Sequence, residues 1–215
     1  MKKIFISFCS IVFLRWVLFS ALPLTTDDAG TVERSKYELE VCYDKCKIQD
    51  DTSEHSFGLS FKHGLTEKMD LGVSFPFLIE PKPKESFGPV SIGLKFSLIE
   101  EILAFSLSNQ LGSSEYFLNG IFSHQISPAM LYLNLGYQST GIGDIEGSVS
   151  YGFALEYPVK KFDIVCESLG DRDGFQNYSI GLRYNLKDGV AISTAYSNGF
   201  NESRERIMAG FHYEF

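Results

Sequence analysis

From residue 36 onward apolar and polar residues change sides at each step, in runs of about eight to twelve residues separated by turn-formers, and a period of two belongs to extended strands. In the stretch from Lys36 to Asp44, Tyr37, Leu39, Val41 and Tyr43 share one face, and Lys36, Glu38, Glu40 and Asp44 the other. The alternation returns at Phe57, Leu59, Phe61, then from Met69 to Phe77, Val90 to Phe96, Leu103 to Leu107 and Leu131 to Tyr137. It returns again from Val149 to Tyr157, Tyr178 to Tyr184 and Ile207 to Phe215. Three weaker runs, 115–124, 162–169 and 190–196, complete twelve strands, although the pattern leaves their facing open. Twelve is even, as a closed antiparallel barrel with both ends on one side requires. The expected fold is all-β: a transmembrane antiparallel up-and-down β-barrel over 36–215.

The connections carry a second signal, because tight and longer ones alternate. GLTEK, SLIEE, QISPA, PVKK and LKDG are tight. The stretches near 47–53, 80–87, 110–114, 138–147, 170–176 and 197–203 are generally longer and rich in Gly, Ser, Asp or Asn. Short periplasmic turns and longer outer loops give this pattern, with both termini in the periplasm. Pro81, Pro83 and Pro89 fall in or beside a loop, where a missing amide donor costs least.

Periodicity alone does not say which face is outside, since a soluble barrel is the same pattern turned inside out. Aromatic residues at strand ends favour the membrane version: Tyr37, Tyr43, Phe77, Phe96, Tyr137, Tyr157 and Tyr184 lie within a residue or two of a turn, as in an interfacial girdle. With the apolar face toward lipid, the lumen receives Glu38, Glu40, Lys62, Asp70, Lys95, Glu156, Arg183, His212 and Glu214. Two readings of this mixed set stand: fixed charges lining a narrow pore and selecting ions, or salt-bridged packing that closes the barrel. On the first, replacing Glu38 and Glu40 by Gln is expected to alter ion selectivity more than stability.

Composition fits this picture: at 44% hydrophobic and 14% aromatic residues the 215-residue chain is not of the disordered class. The start MKKIFISFCSIVFL has a basic head and an apolar run, the layout of a secretory signal, so residues 1–21 are expected to be removed near Ser20 or Ala21. A retained anchor helix over 4–22 is the rival, and Arg15 makes it costly at the bilayer centre. Cys9 follows Phe8 rather than small residues, so it is not a lipoprotein site. Removing Lys2, Lys3 and Arg15 takes the net charge from −8 to −11, which argues against a nucleic-acid partner. Localisation in the bacterial outer membrane follows, with membrane lipid and a small-molecule solute as expected partners. Residues 22–35 are then an N-terminal periplasmic segment, and its stretch Pro23 to Val32 is a candidate gate.

Other chemistry is thin. Asp27 and Asp28 read as a solvated turn, since two adjacent carboxylates lack the ligand count of a calcium site, with a cation site or a lumenal plug as the other readings. GIGDIEG, 141–147, has no strand-to-helix context for phosphate and reads as an outer loop. His55, His63, His124 and His212 stand in no nucleophile motif, so a barrel-borne lipid hydrolase is the minor alternative and no enzyme is expected. No His/Cys spacing matches a metal site, and no cofactor is expected. Cys42 and Cys46, about 13 Å apart on one strand, do not bridge while that strand continues between them.

Two segments, PLTTDDAGTVERSKYELEV (Pro23 to Val41) and LTEKMDLGVSFPF (Leu65 to Phe77), resemble the outer-membrane barrels named for the meta-cleavage pathway of phenol degradation. They cover about 32 of the 215 residues. The resemblance implies a transporter-like barrel linked to uptake of hydrophobic or aromatic compounds, and supplies no catalytic residue. The ending FHYEF, with Phe211, Tyr213 and Phe215 in step, looks like the signal read by the barrel assembly machinery.

Overall fold

A computed structural model describes residues 22–47, 52–81, 86–143, 145–201 and 204–215. The leader expected over 1–21 lies outside the described residues, as does Pro83. Twelve strands follow one another: β1 (Tyr37–Lys47), β2 (Ser53–Thr66), β3 (Met69–Glu80), β4 (Ser91–Ile99), β5 (Leu103–Gln110) and β6 (Tyr116–Ile126). The second half is β7 (Ala129–Gln138), β8 (Ser148–Val159), β9 (Phe162–Asp171), β10 (Gly174–Lys187), β11 (Val190–Gly199) and β12 (Arg206–Glu214). Each pairs antiparallel with its sequence neighbours, and β1 pairs with β12 to close the barrel. At that seam the Tyr37 and Phe215 backbones exchange bonds of 2.8 and 2.9 Å, so the start of β1 and the last residue stand at one rim.

The turns at that rim span two or three residues. Those at the other rim are longer with one exception. The stretch 170–176, read from sequence as a long loop, is a two-residue connection between Asp171 and Gly174. Asp171 Oδ1 accepts the Asp173 amide at 2.9 Å, and Gly174 supplies the positive φ of 110° that closes the turn.

Alternation decides what each face meets. Leu135 and Ile180 are 64% and 53% exposed on the outside, and their apolar neighbours make a continuous belt. Aromatic rings gather above and below it. Tyr37 stacks between Phe61 and Phe215 at the terminal rim, while Tyr116 meets Tyr137 and Tyr151 meets Phe175 at the other. An apolar band between two aromatic girdles is the exterior of a membrane-spanning barrel. No helix among the described residues is long and apolar enough to cross a membrane; the crossing is by strands.

The three runs whose facing the pattern left open are now fixed. Asn119, Ile121 and Ser123 of β6, Asp163, Val165 and Glu167 of β9, and Ala191, Ala195 and Ser197 of β11 are buried on the lumen side.

Candidate functional site

The lumen of twelve strands is too wide for wall side chains alone to fill. Residues 22–32 fill it instead. Of the segment 22–35, only the rim residues Glu33, Arg34 and Ser35 are exposed. Asp27 is 3% exposed, not a solvated turn.

Followed backward from the rim, the segment runs along the inner wall. The Val32 amide donates to Asp70 Oδ2 of β3 at 2.9 Å. Ala29 donates to Ser123 Oγ of β6 at 2.8 Å, with its methyl group against Ala104 and Ile121. Asp27 and Asn134 of β7 make a reciprocal pair, amide to Oδ1 and Nδ2 to carbonyl, both 2.8 Å. Glu167 of β9 accepts two successive amides, Thr25 at 2.7 Å and Thr26. Arg183 of β10 donates to the Leu22 carbonyl at 2.9 Å, and the Leu22 amide reaches Glu40 Oε1 of β1 at 3.4 Å. Six backbone amides are thus held by side chains of the wall.

The dimensions agree with this path. Twelve strands about 4.8 Å apart, tilted by about 40°, give a wall radius of about 12 Å. A chain lying about 5 Å inside it, half the spacing of packed sheets, travels about 37 Å in passing from β3 around to β1. Leu22 to Val32, ten steps of about 3.3 Å when extended, reach about 33 Å. The extended segment spans nearly all of the arc it occupies.

Room for it comes from glycines on the lumen face. A Cβ on Gly64 would stand 2.5 Å from the Val32 carbonyl oxygen and closer still to that of Glu33. A Cβ on Gly152 would be 2.6 Å from Thr26 Oγ1, on Gly181 2.8 Å from Pro23 Cγ, and on Gly210 2.9 Å from Leu22 Cδ1. Apolar contact adds to the polar grip: Leu24, 4% exposed, packs with Tyr132, Ala154 and Val165.

All nine charged residues assigned to the lumen from sequence lie on that face, but they hold partners. Lys62 Nζ contacts Glu38 closely and Glu40 at 3.4 Å, and His212 Nδ1 is 3.5 Å from Glu40. Arg183 pairs with Glu156 at 2.9 Å, and Lys95 reaches Asp27 at 2.9 Å. Asp70 serves Val32, while Glu214 lies at the rim, 3.7 Å from Lys36. The Glu33 carboxylate, 2.8 Å from Lys36 and hydrogen-bonded to it, raises that ammonium above the usual lysine range. Ligand atoms of Glu38, Glu40 and His212 lie within 4.8 Å of one another, a spacing suited to a cation, and the cation there is the Lys62 ammonium.

Sequence reading missed Glu167, Asn134, Ser123 and the clearance glycines. The glycines were the available signal, since they recur on the polar side of four strands where bulk costs nothing unless something lies against them. Cys42 and Cys46 are unbridged on one continuous strand, as expected. Among the described residues, His55 meets the Tyr43 hydroxyl at 2.6 Å, His63 the Lys36 carbonyl at 3.1 Å, and His124 stacks on Phe122.

No protein-family model matches the chain, and neither does any curated protein sequence. Its fold does match solved outer-membrane barrels. The COG4313 outer membrane channel from Pseudomonas putida F1 superposes with a TM-score of 0.58 at 10% identity, over 87% of this chain and 98% of that one. A KdgM porin in complex with disordered oligogalacturonate gives 0.57 at 13% identity, over 83% and 99%. Outer membrane phospholipase A from Escherichia coli gives 0.53 at 12%, over 82% and 92%. At these identities the likeness is one of fold, and the fold is that of bacterial outer-membrane barrels.

Proposed function

We propose that this protein is a gated outer-membrane channel for small solutes, closed by residues 22–32. One observation carries the reading: the lumen is filled by a chain segment held through hydrogen bonds and small apolar contacts, so it can be vacated without unpairing a strand. A barrel serving only as a scaffold has no use for a lumen shaped around a removable occupant. The porin and channel folds among the neighbours support the same reading.

The solute class rests on a resemblance and on the lumen wall. The resemblance of Pro23 to Val41 and Leu65 to Phe77 to barrels of the phenol-degradation family favours hydrophobic or aromatic compounds. The wall patch of Tyr132, Ala154 and Val165, covered by Leu24 in the docked state, offers such a molecule an apolar surface. In the open state the charged residues of the lumen line the path. Phe211, Tyr213 and Phe215, in step on the last strand and its end, serve as the assembly signal.

The phospholipase neighbour brings a hydrolase into consideration. The histidine contacts favour the channel instead, being made to a tyrosine hydroxyl, a backbone carbonyl, a carboxylate and a phenyl ring rather than to serine.

Conductance in planar bilayers tests the proposal. The full protein is expected to be mostly closed, and a variant lacking residues 22–32 to conduct steadily. A folded deletion variant that leaves the bilayer sealed would overturn it.

A further inference from the structure

The far end of the segment shows how Leu22 is held. Leu22 is 4% exposed, deep in the lumen. Its carbonyl is fixed by Arg183, and its side chain lies over Gly210. Its nitrogen points at Glu40 Oε1, 3.4 Å away. Glu40 is 1% exposed and belongs to a cluster of two carboxylates, Glu38 and Glu40, that share a single ammonium, Lys62, with His212 alongside. Glu40 Oε2 accepts no hydrogen bond. Buried carboxylates are stable when their charge is matched and their lone pairs are used, and Glu40 Oε2 leaves an acceptor here for a further donor.

An amide nitrogen brings one proton and no charge. An α-ammonium brings three protons and a positive charge, and its bond to a carboxylate is roughly twice as strong as a neutral one. The residue before Leu22 is Ala21, a small side chain of the kind that stands next to a leader-peptidase cut, within the stretch where removal of the leader is expected; Phe19, two positions earlier, departs from the usual small-x-small pattern. We infer that the mature chain begins at Leu22 and that Glu40, with its cluster, is the binding site for the resulting α-ammonium. The step is hydrolysis of the Ala21–Leu22 peptide bond by a leader peptidase. Water adds across the bond, leaving a carboxylate on Ala21 and an ammonium on Leu22. The lumen then captures its own new terminus, so docking of the segment is coupled to export and processing. This inference stands whether or not the barrel conducts.

The test uses the full precursor expressed with export and purified folded in detergent. Intact mass and terminal sequencing are expected to show a chain starting at Leu22. An amine-acylating reagent used near neutral pH favours α-amines, whose pKa of about 7.7–8.0 lies below that of lysine. It is expected to label Leu22 quickly in denaturant and at least about tenfold more slowly in the folded barrel, where only local opening exposes it. Glu40→Gln should remove most of that protection, and so should a Gly-Ser-Gly insertion between Ala21 and Leu22 that keeps the cut after Ala21. Heat-modifiable migration in gels shows that each variant is folded. A mature chain that starts upstream of Leu22, or an α-amine that reacts equally fast folded and unfolded, would overturn the inference. Neither result depends on conductance.

Discussion

Glu167 is the wall residue whose removal should open the lumen most cleanly. It accepts the amides of Thr25 and Thr26 and a 3.2 Å bond from the Ser179 hydroxyl. Hydrogen bonds to a charged acceptor contribute about 1.5–3 kcal/mol each, so the two amide bonds together hold the segment by about 3–6 kcal/mol. At about 1.4 kcal/mol per tenfold change, Glu167→Ala is expected to lower the docked-to-released ratio by roughly 10²- to 10⁴-fold. Water solvates the amides once released, so the lower end of that range is the better expectation. Glu167→Gln keeps a neutral acceptor of similar shape, and because neutral bonds have roughly half the strength, its effect should be smaller by a factor of about 10 or more. The assay is the open fraction in single-channel recordings, in the order native, Glu167→Gln, Glu167→Ala. A cycle completes it: in a barrel lacking 22–32, Glu167→Ala should add nothing. A folded Glu167→Ala barrel as closed as the native one would refute the assignment of these bonds as the latch.

Three further perturbations probe other parts of the structure. Gly64→Ala places a methyl group against the Val32 and Glu33 carbonyls and should weaken docking by about 1–3 kcal/mol, seen as raised open probability with unchanged barrel migration. Ile180→Arg, in the middle of the lipid-facing side of β10, should cost about 2–4 kcal/mol in denaturant titrations from lipid vesicles, against about 0–1 kcal/mol for Phe162→Arg at the rim; equal costs would misplace the apolar belt. Glu38→Gln with Glu40→Gln strands the buried Lys62 ammonium and should destabilise by about 3–5 kcal/mol, and adding Lys62→Met should restore much of it. The last result would replace the expectation, drawn from sequence alone, that neutralising those two glutamates acts mainly on ion selectivity.

The barrel was legible because lipid and lumen impose opposite demands on successive residues. Glu38, Glu40 and Lys62 alternate with Leu39, Val41 and Phe61, and a one-residue slip would put every charge into acyl chains. The alternation blurred at Ile121, Val165, Ala191 and Ala195, which are apolar yet face inward. Two of them explain themselves: Ile121 packs on Ala29 and Val165 on Leu24, so the lumen wall is apolar where an apolar part of the segment lies on it. The occupant itself has no periodicity to read. Residues 22–32 adopt no strand or helix, and their hydrogen-bond partners lie up to 161 positions away in the chain. Asp27 shows the difficulty most plainly. Two adjacent aspartates followed by Ala-Gly have every local mark of a solvated turn, and only the wall brings Lys95 and Asn134 to them.

Most of the grip on the segment is exerted on its backbone, and this sets which of its residues matter. Amides at Thr25, Thr26 and Val32 bind carboxylates, so any residue except proline would supply the same donor. Strength is therefore nearly independent of the segment's side chains. Register is not. Ala29 is wholly buried between Ala104 and Ile121, where a larger group has no room, Leu24 fills the patch at Val165, and Asp27 must meet Lys95. A one-residue slip that puts Asp28 in place of Ala29 would drive a carboxylate into the alanine pocket and set Thr26 opposite Lys95, and the opposite slip would bring Pro23, which has no amide proton, to Glu40 and take Leu24 off Val165. The backbone bonds supply the affinity, and these three side chains permit it in a single alignment, the one in which the clearance glycines lie under Leu22, Pro23, Thr26 and the Val32–Glu33 carbonyls.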